Sequence, residues 1–183
     1  MEFASREAVQ EYAQTTGRQY VQVTLDHAGN GELGSLIIEL YTDQCPKTCE
    51  NFINGVKGKF SGGFKYQGSP IHRIVKHAYI QGGDVVDGTG KGNPGWSIPD
   101  ESFALKHDDV GWVGMANMGQ PHTAATQFYI TLQPLTWLDG KRVVFGKVVD
   151  AAGLELLRQV EGLPTNNERP LPEVTVSKIE LIA

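Results

Sequence analysis

From Arg18 onward, apolar and polar residues follow the two-residue period of β-strands. Residues 19–25 (QYVQVTL) are β-branched and aromatic, and in 35–41 (SLIIELY) Leu36, Ile38 and Leu40 share one side. Asn30-Gly31 between them predicts a hairpin, because both residues tolerate positive φ. Further strands are predicted at 71–75, 78–82, 110–116, 127–132, 142–149 and 174–182, which makes eight. Helical spacing interrupts them twice. Pro46 suits a first helical turn, and Cys49, Phe52, Ile53 and Val56 follow at one-face intervals. Asp150 can cap a second helix carrying Leu154, Leu157 and Val160.

Ahead of the strands, Val9, Tyr12 and Ala13 form a thin apolar stripe, so one short helix is predicted from about Ser5. Residues 1–17 are therefore read as a helical extension that docks on the domain, contacts a partner or frays, and residues 18–183 as the main domain. Eight short strands and two single-sided helices predict a mainly β fold: a closed eight-stranded antiparallel β-barrel whose ends the two α-helices plug. Closure would remove the unpaired edges that promote aggregation. Residues 83–109, 117–126 and 162–173 are read as long loops, where function usually sits. No linker or internal repeat divides the chain.

Composition narrows the function classes. The 183 residues are 40% apolar, enough for one core, and 16 Lys and Arg against 21 Asp and Glu leave a net charge of −5. A mildly acidic chain without a basic block argues against nucleic acid. No stretch reaches the roughly 18 apolar residues of a membrane helix. Two cysteines, Cys45 and Cys49, are too few for a disulfide framework, and the first ten residues lack a basic and apolar leader pattern. The expectation is a reduced, cytoplasmic protein.

Several chemistries fit poorly. Gly88-Thr89-Gly90-Lys91-Gly92 looks like a phosphate loop, but Asn93-Pro94-Gly95 follows where a helix must start. His72 and His77 are five apart and would point to opposite strand faces, which a shared metal ion cannot use. There is no GxSxG elbow. Cys45 and Cys49 read as buried small hydrophobes. No cofactor is expected. What remains is a polar set among apolar strands. Arg73 projects with Ile71 and Val75, Tyr79 with Gln81, and Gln127 with Tyr129, while Asn117 ends a further strand.

Those residues lie in motifs that resemble the cyclophilins. In order they are Pro46-Lys47-Thr48 with Glu50-Asn51-Phe52, His72-Arg73-Ile74, and Gln81-Gly82-Gly83-Asp84. Then come Leu105-Lys106-His107, Gly114-Met115-Ala116-Asn117, Gln127-Phe128-Tyr129-Ile130, and Trp137-Leu138-Asp139-Gly140-Lys141. The resemblance runs from about residue 19 to 182. It implies the eight-stranded barrel with two helices and a peptidyl-prolyl cis-trans isomerase acting on proline-containing peptide segments. By family position Arg73 is the catalytic guanidinium. Gln81, Ala116, Asn117 and Gln127 hold the peptide main chain, Trp137 and Leu138 line the proline pocket, and Gly88 and Thr89 lie near its rim.

Departures from the family pattern fall on the pocket. Ala78 stands where most active members carry a phenylalanine, Tyr79 replaces a methionine, Tyr129 a phenylalanine, Met118 an alanine and Arg142 a histidine. The loop before Gln127 is one residue longer. The substituted side chains still border the predicted substrate site. Losing a buried aromatic removes about 2–3 kcal/mol of apolar contact unless Tyr79 or Met118 refills the space, which corresponds to a loss of roughly 30- to 150-fold in rate. Cyclosporin-type inhibitors are expected to meet Trp137, with Ala78 and Arg142 working against them. Ile74-Val75-Lys76-His77 and the 162–170 segment are similar to one subgroup, the cyclophilins of radial spokes in motile cilia. That likeness implies a subunit of an axonemal complex. The sequence thus carries two readings: an isomerase with an altered pocket, and a barrel kept as a structural or proline-peptide-binding module.

Overall fold

The computed structural model describes all 183 residues. Ten strands and three helices follow one another along the chain. The hairpin of β1 (Gln19–His27) and β2 (Gly31–Leu40) forms as predicted, with Val23 opposite Leu36. The positive φ angles of its turn fall on Gly29 and Gly31, at +80° and +85°, so Asn30 does not need one. The next strands are β3 (Arg73–Val75), β4 (Tyr79–Gly82), β5 (Trp112–Met115), β6 (Phe128–Thr131) and β7 (Val144–Val148). A small hairpin of β8 (Thr165–Asn166) and β9 (Arg169–Pro170) precedes β10 (Val174–Leu181). No helix is long and apolar enough to cross a membrane.

Eight strands make one antiparallel sheet in the order β10-β1-β2-β7-β5-β6-β4-β3. The sheet curls into a half-barrel, and this corrects the expectation of a closed ladder. Its end strands, β3 and β10, do not pair along their lengths. The seam is bridged by the chain ahead of β3: Gly68 N–H donates to Val176 at 2.7 Å, Ile71 N–H to Val174 at 2.8 Å, and Val176 N–H to Ser69 at 2.9 Å. The strand predicted from Ile71 begins at Arg73 for the same reason. Ile71 turns into the core instead of sharing a face with Arg73.

The inner face holds a core of 29 buried residues. Here α2 (Pro46–Val56) contributes Phe52, whose ring lies 5.0–5.5 Å from those of Tyr66, Phe128 and Phe145. Leu156, Leu157 and Val160 of α3 (Ala151–Glu161) join the same core, with Leu154 at its margin. The N-terminus of α2 is satisfied from a distant loop. Glu101 accepts from Lys47 N–H at 2.9 Å and from Thr48 N–H and hydroxyl at 2.8 Å. Asp150 caps α3 as predicted, accepting from Gly153 N–H at 3.0 Å, and also accepts from Ile37 N–H at 2.8 Å. Cys45 and Cys49 are buried free thiols, and burial pushes the Cys45 pKa up to about 11.

The N-terminal helix α1 (Arg6–Thr16) forms, with Ser5 as its cap and Gly17 at φ +68° ending it. Its apolar stripe lies on the outer face of the sheet. Val9 and Ala13 pack with Tyr20, Ile37, Val149 and Ile182, and Phe3 hydrogen-bonds through its main chain to Val149 and Ala151. Alternate residues of β1 and β2 therefore have a cover on each side. Deleting residues 1–17 uncovers the outer one. We expect a loss of about 3 kcal/mol and a fall in Tm of roughly 6–12 °C. A melt of residues 18–183 that matches the full chain would show that the stripe contributes nothing to stability.

Candidate functional site

The site grows from a cross-strand line on the outer face. Arg73 on β3 is directly opposite Gln81 on β4, Gln81 is opposite Tyr129 on β6, and Tyr129 is opposite Gly114 on β5. Directly opposed residues point to the same side of a sheet. The neighbouring line, Ile74, Ile80, Ile130 and Val113, points into the core. Burying these aliphatic residues selects the register, and the register sets the polar row outside.

Arg73 is a held cation. Its Nη1 donates to the Tyr79 hydroxyl at 2.9 Å, while Nη2 and Nε donate to Glu168 at 3.3 and 3.4 Å. The side chain keeps 42% of its surface exposed. Gln81 Nε2 donates to Gln127 Oε1 at 3.0 Å, and Gln127 Nε2 donates to the Gly90 carbonyl at 3.0 Å. These two amides join the strand row to the glycine-rich loop.

That loop is wrapped around a carboxylate. The buried Asp84 accepts from the N–H groups of Val86, Asp87, Gly90 and Gly92 at 2.7–3.3 Å. A side chain at Gly92 would overlap it. The run that looks like a phosphate loop thus folds around an anion supplied by the chain itself. Burial alone would raise the pKa of Asp84. The backbone donors of Gly92, Gly90 and Asp87 outweigh it and hold the pKa at about 2.

Beside the row is an apolar patch. Tyr129, Leu135 and Leu138 are buried together, with Ala78, Tyr79 and Ala116 against them. The Tyr79 ring lies 5.7 Å from that of Tyr129. Tyr79 therefore packs on this patch beside Ala78, whereas Met118 is 75% exposed. Under the patch runs a buried polar chain. His107 Nδ1 lies 2.8 Å from Asp139 Oδ1, and its Nε2 lies 2.6 Å from the Tyr129 hydroxyl. Burial holds the His107 pKa below its ordinary value despite the Asp139 charge, and the His107 N–H donors keep Asp139 ionised against its own desolvation. With Asp139 accepting from Nδ1–H, Nε2 of the neutral ring accepts from Tyr129. Gly114 makes this possible, because a Cβ there would overlap the Tyr129 hydroxyl.

An open cavity of about 650 Å³ adjoins the patch. Gln81, Trp96, Ala116, Asn117, Met118 and Gln127 are among its walls. Its far side is held by two loops zipped together: Ile98 N–H donates to Ala124 at 2.8 Å, and Asp100 N–H to His122 Nδ1 at 2.9 Å. Trp137 stands 60% exposed on a short 3-10 turn over Thr136–Leu138, beside the buried Leu138. Arg142 is half-buried and donates to the Lys141 carbonyl. Gly88 faces a different cavity, of about 410 Å³, with Pro70 and Asp84, and the exposed Thr89 follows it in the loop around Asp84.

Sequence reasoning missed Trp96, Glu168, Gly114 and the His107–Asp139 support. Both members of that last pair stand in motifs used for the resemblance. Their contact joins loops 32 residues apart, and no local period reports it.

The fold and this face define a class: a mainly β domain whose sheet presents a guanidinium, paired amides and an aromatic patch, the groups an extended peptide can use. The chain belongs to the cyclophilin-type peptidyl-prolyl cis-trans isomerase family. The family model described as "Cyclophilin type peptidyl-prolyl cis-trans isomerase/CLD" matches residues 20–181. Among curated relatives, the probable inactive peptidyl-prolyl cis-trans isomerase-like 6 of Homo sapiens is 47% identical over 149 residues, 76% of this chain and 46% of that protein. Its Bos taurus counterpart is 43% identical over 155 residues, 79% of this chain and 49% of that protein. The peptidyl-prolyl cis-trans isomerase cyp11 of Rhizopus delemar is 45% identical over 163 residues, 84% of this chain and 47% of that protein. This chain therefore spans about half the length of these relatives. A crystal structure of a cyclophilin-type isomerase from Cryptosporidium parvum is similar with a TM-score of 0.77 and 35% identity, covering 90% of this chain and 97% of that one.

Proposed function

We propose that the domain binds proline-containing peptide segments and catalyses X–Pro cis–trans isomerisation at a reduced rate. The observation that carries this reading is the outer-face row, Arg73, Gln81 and Tyr129 side by side next to the Leu138 patch. Uncatalysed isomerisation takes about tens to hundreds of seconds, because amide resonance sets a barrier of roughly 18–20 kcal/mol. No bond to a heavy atom forms or breaks. The site need only favour the twisted imide over both planar forms. Arg73 is assigned to donate toward the twisted imide, where the nitrogen regains its lone pair. Gln81, Gln127, Asn117 and the Ala116 backbone are assigned to the peptide main chain. Tyr79, Tyr129, Leu138 and Trp137 are assigned to the proline ring, and Met118 and Arg142 to the flanks.

The reduced rate has two supports. Three Arg73 N–H contacts are already committed to Tyr79 and Glu168, and the isomerase-like 6 relatives are named probable inactive. A protease-coupled assay on a proline tetrapeptide tests it. The expected result is turnover above buffer but well below that of a cyclophilin carrying the usual phenylalanine at the Ala78 position. A wild-type rate equal to buffer removes the enzyme and leaves the second reading, a proline-peptide-binding module in a larger assembly.

For that assembly we propose the radial spokes of motile cilia, on the likeness of residues 74–77 and 162–170 to that cyclophilin subgroup. Fractionation of demembranated cilia is the test. The protein is expected in the salt-resistant axoneme, and recovery wholly in the detergent-extracted fraction would exclude an axonemal role.

A further inference from the structure

The β8–β9 hairpin turns through Asn167 and Glu168, whose φ angles are +50° and +69°. A two-residue turn of this hand is best filled by asparagine followed by glycine. Asn167 meets that preference. Glu168 does not, because a Cβ is disfavoured in the left-handed region. A local conflict of this kind persists where the side chain has a use.

The side chain of Glu168 leaves the turn toward Arg73, and Oε1 accepts from Nη2 at 3.3 Å and Nε at 3.4 Å. The turn is anchored beside Arg73. The Glu168 carbonyl accepts from Ile74 N–H at 2.6 Å. Arg169 donates to the Gly88 carbonyl at 2.8 Å and also pairs with Glu173.

We propose that Glu168 is a displaceable counter-ion that competes with the bound peptide for Arg73, and so sets the rate and peptide affinity of the proline site. This rests on the proline-site reading above. Both partners are nearly half exposed, 42% for Arg73 and 45% for Glu168. Such a pair is weak and is screened by salt, so a peptide carbonyl can displace it. While the pair is made, the carboxylate neutralises the charge that Arg73 offers the twisted imide.

The test compares the full chain with Glu168→Gln, Glu168→Gly and Glu168→Asp. An uncharged proline tetrapeptide serves both for protease-coupled turnover and for an NMR titration of Kd. Thermal melts establish that each variant is folded. Removing the carboxylate is expected to raise kcat/KM, tighten Kd, or both, by roughly 3- to 10-fold. Raising the salt from 0.05 to 0.5 M is expected to speed or tighten the wild type and Glu168→Asp, with no such response in Glu168→Gln. A purely structural turn residue would not produce that difference in salt response.

Unchanged or poorer turnover and affinity in folded Glu168→Gln overturns the counter-ion role, while wild-type turnover in the same experiment leaves the isomerase reading standing. If no variant turns over peptide but Glu168→Gln binds it more tightly than wild type, the isomerase reading fails and the counter-ion role holds. Absence of peptide binding by every variant overturns both.

Discussion

Replacing Arg73 by alanine is expected to lower kcat/KM for a proline tetrapeptide by about 100- to 1,000-fold, the usual cost of deleting one preorganised donor at a developing charge. The isomerisation offers no nucleophile or proton to exploit, so the donor beside the imide carries most of what the protein can supply. Arg73 is suited to it by its setting. Its strand register is held by the aliphatic line beneath, and Tyr79 steadies one arm of the fork at 2.9 Å. Arg73→Lys is expected to recover little, because an ammonium group has no planar fork to meet the hydroxyl and the imide together. Stability should hardly change. The Arg73–Glu168 pair is partly exposed, and pairs of that kind contribute about 0–1 kcal/mol. Protease-coupled kinetics read beside thermal melts check this. Equal kcat/KM for wild type and a folded Arg73→Ala variant would falsify the role given to the guanidinium.

Replacing Asp84 by alanine is expected to cost about 3 kcal/mol and to loosen the loop that completes the site. Four backbone N–H groups converge on this carboxylate, and hydrogen bonds to a charged group contribute roughly 1.5–3 kcal/mol each before water replaces some of them. The damage reaches the peptide face directly, because Gly90 donates its N–H to Asp84 and accepts from Gln127 through its carbonyl. Peptide affinity should weaken along with stability.

Asp84 also sets an acid limb. Its folded pKa of about 2 lies below the ordinary 3.8. Its contribution is therefore complete above pH 3.8 and is lost as pH falls toward 2, a change of roughly 2 kcal/mol. Urea denaturation at pH 7, 4 and 2 is expected to show that loss in the wild type. In Asp84→Asn the loss should be smaller by about that amount, starting from lower stability at pH 7. Parallel pH dependence in the two proteins would show that the loop is held by other contacts.

Much of this fold is written in local pattern. The alternation of Leu36, Ile38 and Leu40, the spacing of Cys49, Phe52 and Ile53 behind Pro46, and the Asp150 cap each name an element whose burial the structure bears out. The α1 helix was equally legible as a helix, but not as a cover for Tyr20 and Ile37, because its thin stripe does not say which surface receives it. The barrel was legible only to its strand count. Whether β3 and β10 pair is decided by the chain ahead of β3, where Gly68 and Ser69 carry no strand period and Ile71 leaves the period it was assigned.

The same division runs through the site. Arg73, Gln81, Gln127 and Tyr129 could be picked out as polar groups on strands. Which of them are neighbours is a matter of register, and Arg73 beside Gln81 beside Tyr129 follows from three strand pairings at once. Glu168 stood in a segment noted only for its subgroup likeness, since its pairing with Arg73 depends on a turn that lands 95 residues away along the chain. The His107–Asp139 support and the space at Gly114 were hidden for the same reason.

By itself, then, the sequence determined most of the elements, their buried faces and the family, because each of these depends on residues within a few positions of one another or on motifs in fixed order; the β8–β9 hairpin, read as loop, was not among them. Only the tertiary structure decided what surrounds the Arg73 guanidinium, with Tyr79 and Glu168 on its donors, and that the seam is sealed by loop rather than ladder. Those contacts join distant segments, and their geometry exists only once the aliphatic core has chosen one register for the whole sheet.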